Sequence, residues 1–143
     1  MIYLLDTNVC IVYLNGKSIQ LRDRLNSTPV DSIRICSVVK AELFYGSRRS
    51  NNPVKSLQIQ QQFLQQFNSL SFDDDAAMVY GTIRANLAKS GTPIGPNDLQ
   101  IAAIALANDL TLVTHNTREF SRIQYLKLED WENSKNIRKT STL

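Results

Sequence analysis

Three acidic residues of this 143-residue chain stand beside apolar segments, where carboxylates are uncommon. Asp6 directly follows the apolar run 2–5, and Asp98 begins the nearly all-apolar stretch 99–107. Glu42 lies about one helical turn beyond a short β-branched run. Taken singly, Asp6 and Asp98 are explained as acids that cap or stabilise the start of a helix, and Glu42 as a solvated helix position. Taken together, the three converge if the segments around them fold side by side.

Converging carboxylates favour a divalent cation. Like charges repel strongly in a partly dry site, so the acids either take up protons or are balanced by a metal ion. Oxygen ligands suit Mg²⁺ or Mn²⁺ better than Zn²⁺, and the one histidine, His115, cannot build a zinc site by itself. A carboxylate-held ion of this kind is typical of phosphodiester hydrolysis, in which it activates a water and stabilises charge on phosphorus. The acids therefore predict metal-dependent phosphodiester cleavage.

Most of the other acids of the chain need no special explanation, and two groups of them are close together in the sequence. Asp73-Asp74-Asp75 is predicted to begin a helix, where acids satisfy free N–H groups and suit the helix dipole. The acids between residues 129 and 132 fall in a polar C-terminal region and are assigned no special role.

A fourth candidate for the acidic pocket follows the apolar run 110–114 and is either Asn116 or Glu119. The sequence does not choose between these two side chains.

A phosphate-rich substrate also requires positive charge around the acids. The net charge of +3 favours an anionic partner such as nucleic acid only slightly. Of the basic residues, Arg84, Lys89 and Arg118 are the candidates for positioning the phosphate backbone. Arg84 is preferred because its helix leads back towards the loop 91–98, which ends at Asp98.

The elements that must position these residues alternate along the chain. Strands are predicted at residues 2–5, 33–37, 70–72, 110–114 and 123–128. Helices are predicted at residues 9–14, 38–46, 57–67, 73–90 and 98–108, the last with Asn97 as its N-cap. This alternation predicts an α/β fold in three layers, with a central, mostly parallel sheet flanked by helices. Ligands bind at the carboxyl ends of such strands, which is where the candidate acids fall.

Composition narrows the class of protein. A hydrophobic fraction of 43% and a charged fraction of 20% are ordinary for a globular domain, and there is no long apolar run for a membrane span. The N-terminus lacks a basic signal-peptide region, so we expect a cytoplasmic protein without membrane attachment. Cys10 and Cys36 lie in apolar stretches and are predicted to be reduced core residues. We expect one domain over residues 1–132 and a polar, flexible tail over residues 133–143.

Four sequence blocks around the candidate residues carry a family resemblance. They are Leu4–Asn8 (LLDTN), Ser37–Gly46 (SVVKAELFYG), Gly91–Ala102 (GTPIGPNDLQIA) and Leu112–Phe120 (LVTHNTREF). In their order and spacing they resemble PIN-domain proteins, and more closely the VapC toxins of type II toxin–antitoxin systems. The resemblance extends from residue 1 to about residue 131 and includes the closing segment Leu128–Trp131.

The resemblance implies a PIN-like fold and a toxin that inhibits translation. Its expected activity is that of an endoribonuclease dependent on Mg²⁺, for which Mn²⁺ can substitute, and relatives commonly cut structured RNA, often tRNA. The expected partners are a second copy of the chain, in a homodimer, and a cognate VapB-type antitoxin. The C-terminal segment of such an antitoxin lies across the active site and blocks it.

The resemblance also assigns roles to single residues. Asp6, Glu42 and Asp98 match the three acids that hold metal, and Glu119 matches a fourth acid whose position varies among relatives. Asn116 stands where many relatives have Asp or Asn. Residues that match the polar support of the pocket are Thr7, Asn8 and Thr114.

Two other functions compete with this interpretation. One is a PIN-like nucleic-acid-binding or regulatory module with weak or no nuclease activity, which acts with a DNA-binding partner as FitB-type relatives do. The complete set of acids disfavours it, since such a module need not keep a repulsive pocket. The other is a receiver-type or phosphatase-type α/β domain. It is disfavoured because Asp6 is followed by Thr7 and Asn8, whereas a receiver has adjacent acids after its first strand.

Overall fold

A single sheet of six strands lies at the centre of the computed structural model, which describes residues 1–133 and 138–139. The order across the sheet is β3-β2-β1-β4-β5-β6; the first five strands pair in parallel, and β6 pairs antiparallel with β5. The strands are β1 (Tyr3–Leu5), β2 (Ile33–Cys36), β3 (Asn68–Leu70), β4 (Thr111–Val113), β5 (Lys127–Glu129) and β6 (Arg138–Lys139).

Seven helices of the described chain flank this sheet. They are α1 (Thr7–Asn15), α2 (Ile19–Ser27), α3 (Ser37–Arg48), α4 (Pro53–Leu64), α5 (Asp74–Lys89), α6 (Pro96–Ala107) and α7 (Thr117–Phe120). The predicted α/β fold with a mostly parallel sheet is confirmed. Helix α6 is buried on nearly every side, as its apolar sequence predicts, because it packs against α5, α3 and β4.

The order of the strands reverses beside β1. The chain runs from β1 outward to β2 and β3, then crosses back to β4 on the other side of β1 and continues to β5. Tyr3 is in register with both Ile33 and Thr111. In open α/β sheets, ligands bind outside the carboxyl ends of the strands at such a reversal. The residues that follow β1 and β4, namely Asp6 and Thr114, therefore lie at the expected binding position.

Local sequence signals explain where the helices begin and end. Helix α1 ends at Gly16, whose φ of 68° is the left-handed conformation that glycine adopts without strain. Asp73 caps α5 by accepting a hydrogen bond from the backbone N–H of Ala76 at 2.9 Å, so the predicted capping role is confirmed. Cys10 and Cys36 are free and buried, also as predicted.

Several predicted elements differ from the structure. Helix α2 was not predicted because its sequence is mostly polar, although Leu21 and Leu25, four residues apart, bury one face. The structure places β3 about two residues earlier than predicted, and β5 overlaps only the last two residues of the predicted segment 123–128 and extends to Glu129. The prediction of Asn97 as a helix N-cap is wrong: Gly95 is the N-cap of α6, and Pro96 takes the first helical position.

Two further predictions concern the ends of the chain and the membrane. Arg138–Lys139 form β6, whereas residues 134–137 and 140–143 of the predicted flexible tail lie outside the described part of the structure. Within residues 1–133 and 138–139, no helix combines the length and the apolar character needed to cross a bilayer.

Candidate active site

Asp6 connects the sheet to the candidate site. It follows β1 and is the N-cap of α1, with its Oδ1 accepting a hydrogen bond from Val9 N at 2.8 Å. Its side chain also accepts a hydrogen bond from the hydroxyl of Thr114, the residue after β4. The Thr114 oxygen in turn accepts from Asn116 N at 3.0 Å. Asp6 is therefore both a helix cap and a buried acid at the end of a strand.

The environment of Asp6 disfavours its negative charge. The side chain is only 4% exposed, and burial raises the pKa of Asp6 to about 7. The hydrogen bonds from Thr114 and Val9 lower this pKa, while the charges of Asp98 and Glu132 raise it further. Because its pKa lies near neutrality, Asp6 shares the pocket with a proton or with another positive charge.

Asp98 lies in the first turn of α6 and is the acid that links the others electrostatically. Partial burial raises its pKa, and the charges of Glu42 and Glu119 raise the pKa further. Asp98 also contributes to the raised pKa of Asp6. Asp98 is therefore within electrostatic reach of each of the other three predicted acids, although Asp6 follows β1 and Glu42 and Glu119 lie on α3 and α7.

Glu42 is half-buried on α3 and is held by two donors. The Thr7 hydroxyl donates to its Oε1, and the Asn97 amide donates to its Oε2 at 3.1 Å. The contact with Asn97 was missed because the sequence pattern assigned that residue to a helix cap. Asn8, the other residue predicted to support the pocket, lines the same groove as Glu42.

Asn116 and Glu119 act together at the fourth corner of the site. Asn116 Nδ2 donates to Glu119 Oε1 at 2.6 Å, and these residues lie three positions apart at the start of α7. The charge of Glu119 acts on Asp98. The two side chains between which the sequence did not choose are therefore hydrogen-bonded to each other.

The donor set of these four acids fits a divalent cation. No salt bridge within the described residues reaches Asp6, Glu42, Asp98 or Glu119, so their charges lack a protein cation in direct contact. All the side-chain ligands are oxygens, as hard cations such as Mg²⁺ and Mn²⁺ prefer. A bound divalent ion would offset the repulsion that raises the pKa values of Asp6 and Asp98.

The predicted basic residues are less closely associated with these acids. Arg84 Nη1 donates to the hydroxyl of Tyr80 at 3.2 Å, and both lie in a separate cleft beside Pro93 and Leu99. Arg84 lies in this cleft because its side chain extends along α5 towards Tyr80, which is one helical turn earlier. Lys89, at the end of α5, and Arg118, on α7 next to Glu119, are exposed to solvent.

A second group of possible metal ligands lies at the same edge of the sheet. One ligand atom each of His115, Asp130 and Glu132 lies within 4.8 Å of the others, and His115 Nδ1 is 3.0 Å from Asp130 Oδ2. The charge of Glu132 also raises the pKa of Asp6, which places this group beside the four acids. The group was missed, yet Asp130 follows β5 just as Asp6 follows β1.

The interpretation of acids 129–132 as ordinary polar residues was wrong. Glu129 is fully buried, and its Oε1 accepts hydrogen bonds from Arg24 at 3.1 Å and from the Trp131 indole at 3.0 Å. The Arg24 guanidinium also lies over the Trp131 ring, 4.9 Å from its centroid. Arg24 and Trp131 therefore provide the buried Glu129 carboxylate with hydrogen-bond donors at the end of β5, next to the candidate site.

A groove of about 850 Å³ runs from Glu42 along one side of α3. We call it the α3 groove. Besides Glu42, its lining residues include Thr7, Asn8, Val38, Tyr45, Arg49, Phe72, Asn97 and Gln100. Of the four acids, Glu42 therefore lines a surface groove that is large enough to admit part of a polymeric substrate.

Comparison with protein families and known proteins agrees with this geometry. The PIN domain model matches residues 3–125 of the chain. The tRNA(fMet)-specific endonuclease VapC of Salmonella typhimurium is 40% identical over 131 residues, which cover 90% of this chain and 97% of that protein. Ribonuclease VapC2 of Haemophilus influenzae is 35% identical over 129 residues, with the same coverage of 90% and 97%.

A solved structure resembles the chain just as closely. It is the DNA-bound VapBC from Salmonella typhimurium, which matches with a TM-score of 0.86 and 39% identity. The match covers 92% of this chain and 98% of the chain in that structure.

Proposed function

We propose that this chain, which belongs to the PIN-domain family and within it to the VapC ribonucleases, cuts RNA at the cluster of Asp6, Glu42, Asp98 and Glu119. The observation that carries the proposal is the position of Asp98. Its carboxylate interacts electrostatically with those of Asp6, Glu42 and Glu119 at the carboxyl edge of the sheet. Four acids without a protein cation in contact are suited to holding a divalent ion against a phosphodiester.

Divalent-metal dependence is general among PIN-domain ribonucleases, and we propose that Mg²⁺ is the ion used here, with Mn²⁺ as a substitute. When bound, the ion activates a water and stabilises the charge that develops on phosphorus. Asp6 and Asp98 are the proposed main ligands, because they are the acids whose pKa values are raised by burial and by neighbouring carboxylates. Glu42 and Glu119 complete the oxygen-lined pocket.

The polar neighbours of the acids fix the orientation of each carboxylate. Thr7 and Asn97 donate to the two oxygens of Glu42, and Asn116 donates to Glu119. Thr114 donates to Asp6. Each donor restrains a carboxylate before substrate binds, which lowers the cost of ordering the site during the reaction. Arg118, exposed beside Glu119, is the best placed of the three predicted basic residues to contact a phosphate.

The relatives supply the proposed substrate and partners. One is named for specificity towards tRNA(fMet), and a solved relative is a VapBC complex bound to DNA. We therefore propose that this chain is the toxin of a type II toxin–antitoxin pair, that it cleaves tRNA in the cytoplasm and that it forms a homodimer. Its antitoxin is proposed to be of the VapB type.

The test is cleavage of a total-tRNA panel by purified protein freed of antitoxin. With Mg²⁺ or Mn²⁺ we expect discrete tRNA fragments, and with a chelator or with Asp98→Asn we expect none. Absence of cleavage by the wild-type protein with either ion would contradict the proposal. If, in addition, expression of the chain alone did not arrest growth, the regulatory-module alternative would gain support.

A further inference from the structure

We propose that Tyr45 and Arg49 form a stacking site for an unpaired RNA base next to the scissile phosphodiester. This inference rests on the proposed function and extends it, because it specifies how the α3 groove binds its substrate. The expected ligand is a nucleotide of single-stranded RNA. Tyr45 would stack on its base, and Arg49 would attract its phosphate.

The helical spacing of α3 places these residues in line with the acidic site. Tyr45 and Arg49 come three and seven residues after Glu42, so all three lie on one face of the helix, and all three line the α3 groove. Tyr45 is about 4.5 Å along the helix axis from Glu42, and Arg49 is about 10 Å along it. If an RNA chain is bound at the acids, a nucleotide next to the scissile phosphodiester would therefore lie beside Tyr45.

Tyr45 is unusually exposed for a large aromatic residue. Its relative exposure is 65%, and its hydroxyl has no hydrogen-bond partner among the described residues. Packing in the core therefore does not account for its position in the groove. An aromatic face open to solvent is what single-stranded nucleic acids use for stacking, since every base has a π-face.

Arg49 provides the complementary charge. Its guanidinium lies over the Tyr45 ring, 5.4 Å from the ring centroid, and it forms no salt bridge with any described residue. A cation at the end of α3 also suits the helix dipole, which explains the charge but not the exposed ring beside it. Arg49 can hold the ring in place and still attract a phosphate.

The surroundings of Tyr45 favour a nucleotide over an apolar segment. The side-chain amides of Asn8, Asn97 and Gln100 also line the α3 groove and can donate to or accept from the edge of a base. The Glu42 carboxylate lies at one end of this helix face, and the Arg49 guanidinium lies at the other. The first would face a phosphodiester held by a metal ion, and the second would attract a neighbouring phosphate of the RNA backbone.

The experiment uses the full-length protein with a short single-stranded oligoribonucleotide that carries 2-aminopurine. Cleavage is blocked with Asp98→Asn, and Tyr45→Ala and Tyr45→Phe are added to that protein. Stacking on an aromatic ring quenches 2-aminopurine fluorescence. Tyr125, with an exposure of 66% and a position outside the α3 groove, provides the matched controls Tyr125→Ala and Tyr125→Phe.

We expect Tyr45→Ala to abolish the quenching and to weaken RNA binding about tenfold, since stacking contributes roughly 1–3 kcal/mol per base. Tyr45→Phe keeps the ring and is expected to behave like the wild type. In the otherwise wild-type enzyme, Tyr45→Ala should raise KM for tRNA while kcat changes little. The proposal is overturned if Tyr45→Ala and Tyr125→Ala give the same binding and quenching, or if Tyr45→Ala lowers kcat alone.

These readouts are independent of the proposed nuclease activity. If the wild-type protein cuts no tRNA but quenching depends on Tyr45, the stacking site stands and the nuclease proposal fails. If tRNA is cut normally by Tyr45→Ala protein, the nuclease proposal stands and the stacking site is rejected. A loss of antitoxin binding by Tyr45→Ala with unchanged RNA binding would also reject it.

Discussion

Asn97 Nδ2 lies 3.1 Å from Glu42 Oε2 and joins two helices whose contact residues are 55 positions apart in the chain. This hydrogen bond spans α3 and α6, the helices that carry Glu42 and Asp98. Thr7 donates to the other oxygen of the same carboxylate, so Glu42 is held from both sides. The position of Glu42 relative to Asp98 therefore depends on Asn97 as well as on the backbone.

Removal of this contact is expected to lower the rate of cleavage. A hydrogen bond to a charged group is worth roughly 1.5–3 kcal/mol, and because Asn97 is exposed we expect Asn97→Ala to reduce kcat/KM about tenfold. Asn97→Asp should reduce it further, since it places a like charge beside Glu42. Steady-state cleavage of tRNA measures both effects, with Asn86→Ala on α5 as the control. Equal rates for Asn97→Ala and the control would show that Asn97 does not position Glu42.

Substitution of Asp6 is expected to separate activity from stability. Asparagine can still accept the hydrogen bond from Val9 N, so Asp6→Asn keeps the cap of α1 and removes a buried charge. Substitution of a residue that only supports a metal ligand typically lowers metal affinity or activity about 10–100-fold. Loss of a ligand itself should therefore lower the rate of cleavage more than about a hundredfold. Urea unfolding in a chelator at pH 8 should show Asp6→Asn at least as stable as the wild type. A variant that unfolds more easily would mean that Asp6 serves mainly the fold.

The raised pKa of Asp6 also predicts how stability depends on pH. Between the ordinary value of 3.8 and the folded value of about 7, the folded protein keeps a proton that the unfolded chain has released. The free energy of unfolding in a chelator should therefore fall as pH rises through this interval, by at most roughly 4 kcal/mol. Below pH 3.8 the carboxyl group of Asp6 is protonated in both states, and its full contribution to the free energy of unfolding is present. Urea unfolding from pH 4 to pH 8 should show the fall in the wild type, and its persistence in Asp6→Asn would assign it to other groups.

The group of His115, Asp130 and Glu132 can be separated from the proposed catalytic ligands by metal titration. We expect Asp98→Asn to abolish the Mg²⁺ binding that supports cleavage. His115→Ala should leave cleavage at saturating Mg²⁺ within about twofold, because His115 is largely exposed and substitutions at such positions have small effects. Calorimetric titration and cleavage assays on the same preparations check this. A loss of cleavage with His115→Ala as large as that with Asp98→Asn would place His115 in the catalytic site.

Much of the site follows from local rules that a sequence displays. An acid directly after an apolar strand, such as Asp6, falls at the binding edge of a parallel sheet because the carboxyl ends of the strands meet at that edge. The apolar character of α6 likewise predicts that it is buried, which places Asp98 at the start of a central helix. The cap at Asp73 depends only on residues within three positions, so it could also be predicted.

Contacts between distant segments could not be predicted in this way. Glu129 and Asp130 resemble ordinary polar residues in sequence, but both are buried in the structure. Glu129 pairs with Val113 of β4, and Arg24, from a helix that was not predicted, donates a hydrogen bond to its carboxylate. Arg84 was predicted to face the acids because its helix leads back towards the loop that ends at Asp98. In the structure it lies in the cleft beside Tyr80.

The α/β fold, the positions of the three central acids and the family could be predicted from the sequence, because strand and helix periodicity and the motif blocks are local properties of the chain. The surroundings of those acids could not be predicted in this way. The tertiary structure paired Asn116 with Glu119, turned Asn97 from a predicted cap into a donor to Glu42, and placed Tyr45 and Arg49 along the same groove. Hydrogen bonds, burial and the resulting pKa of Asp6 depend on distances between residues that are far apart in the chain. Those distances are fixed only when the sheet and its helices have assembled.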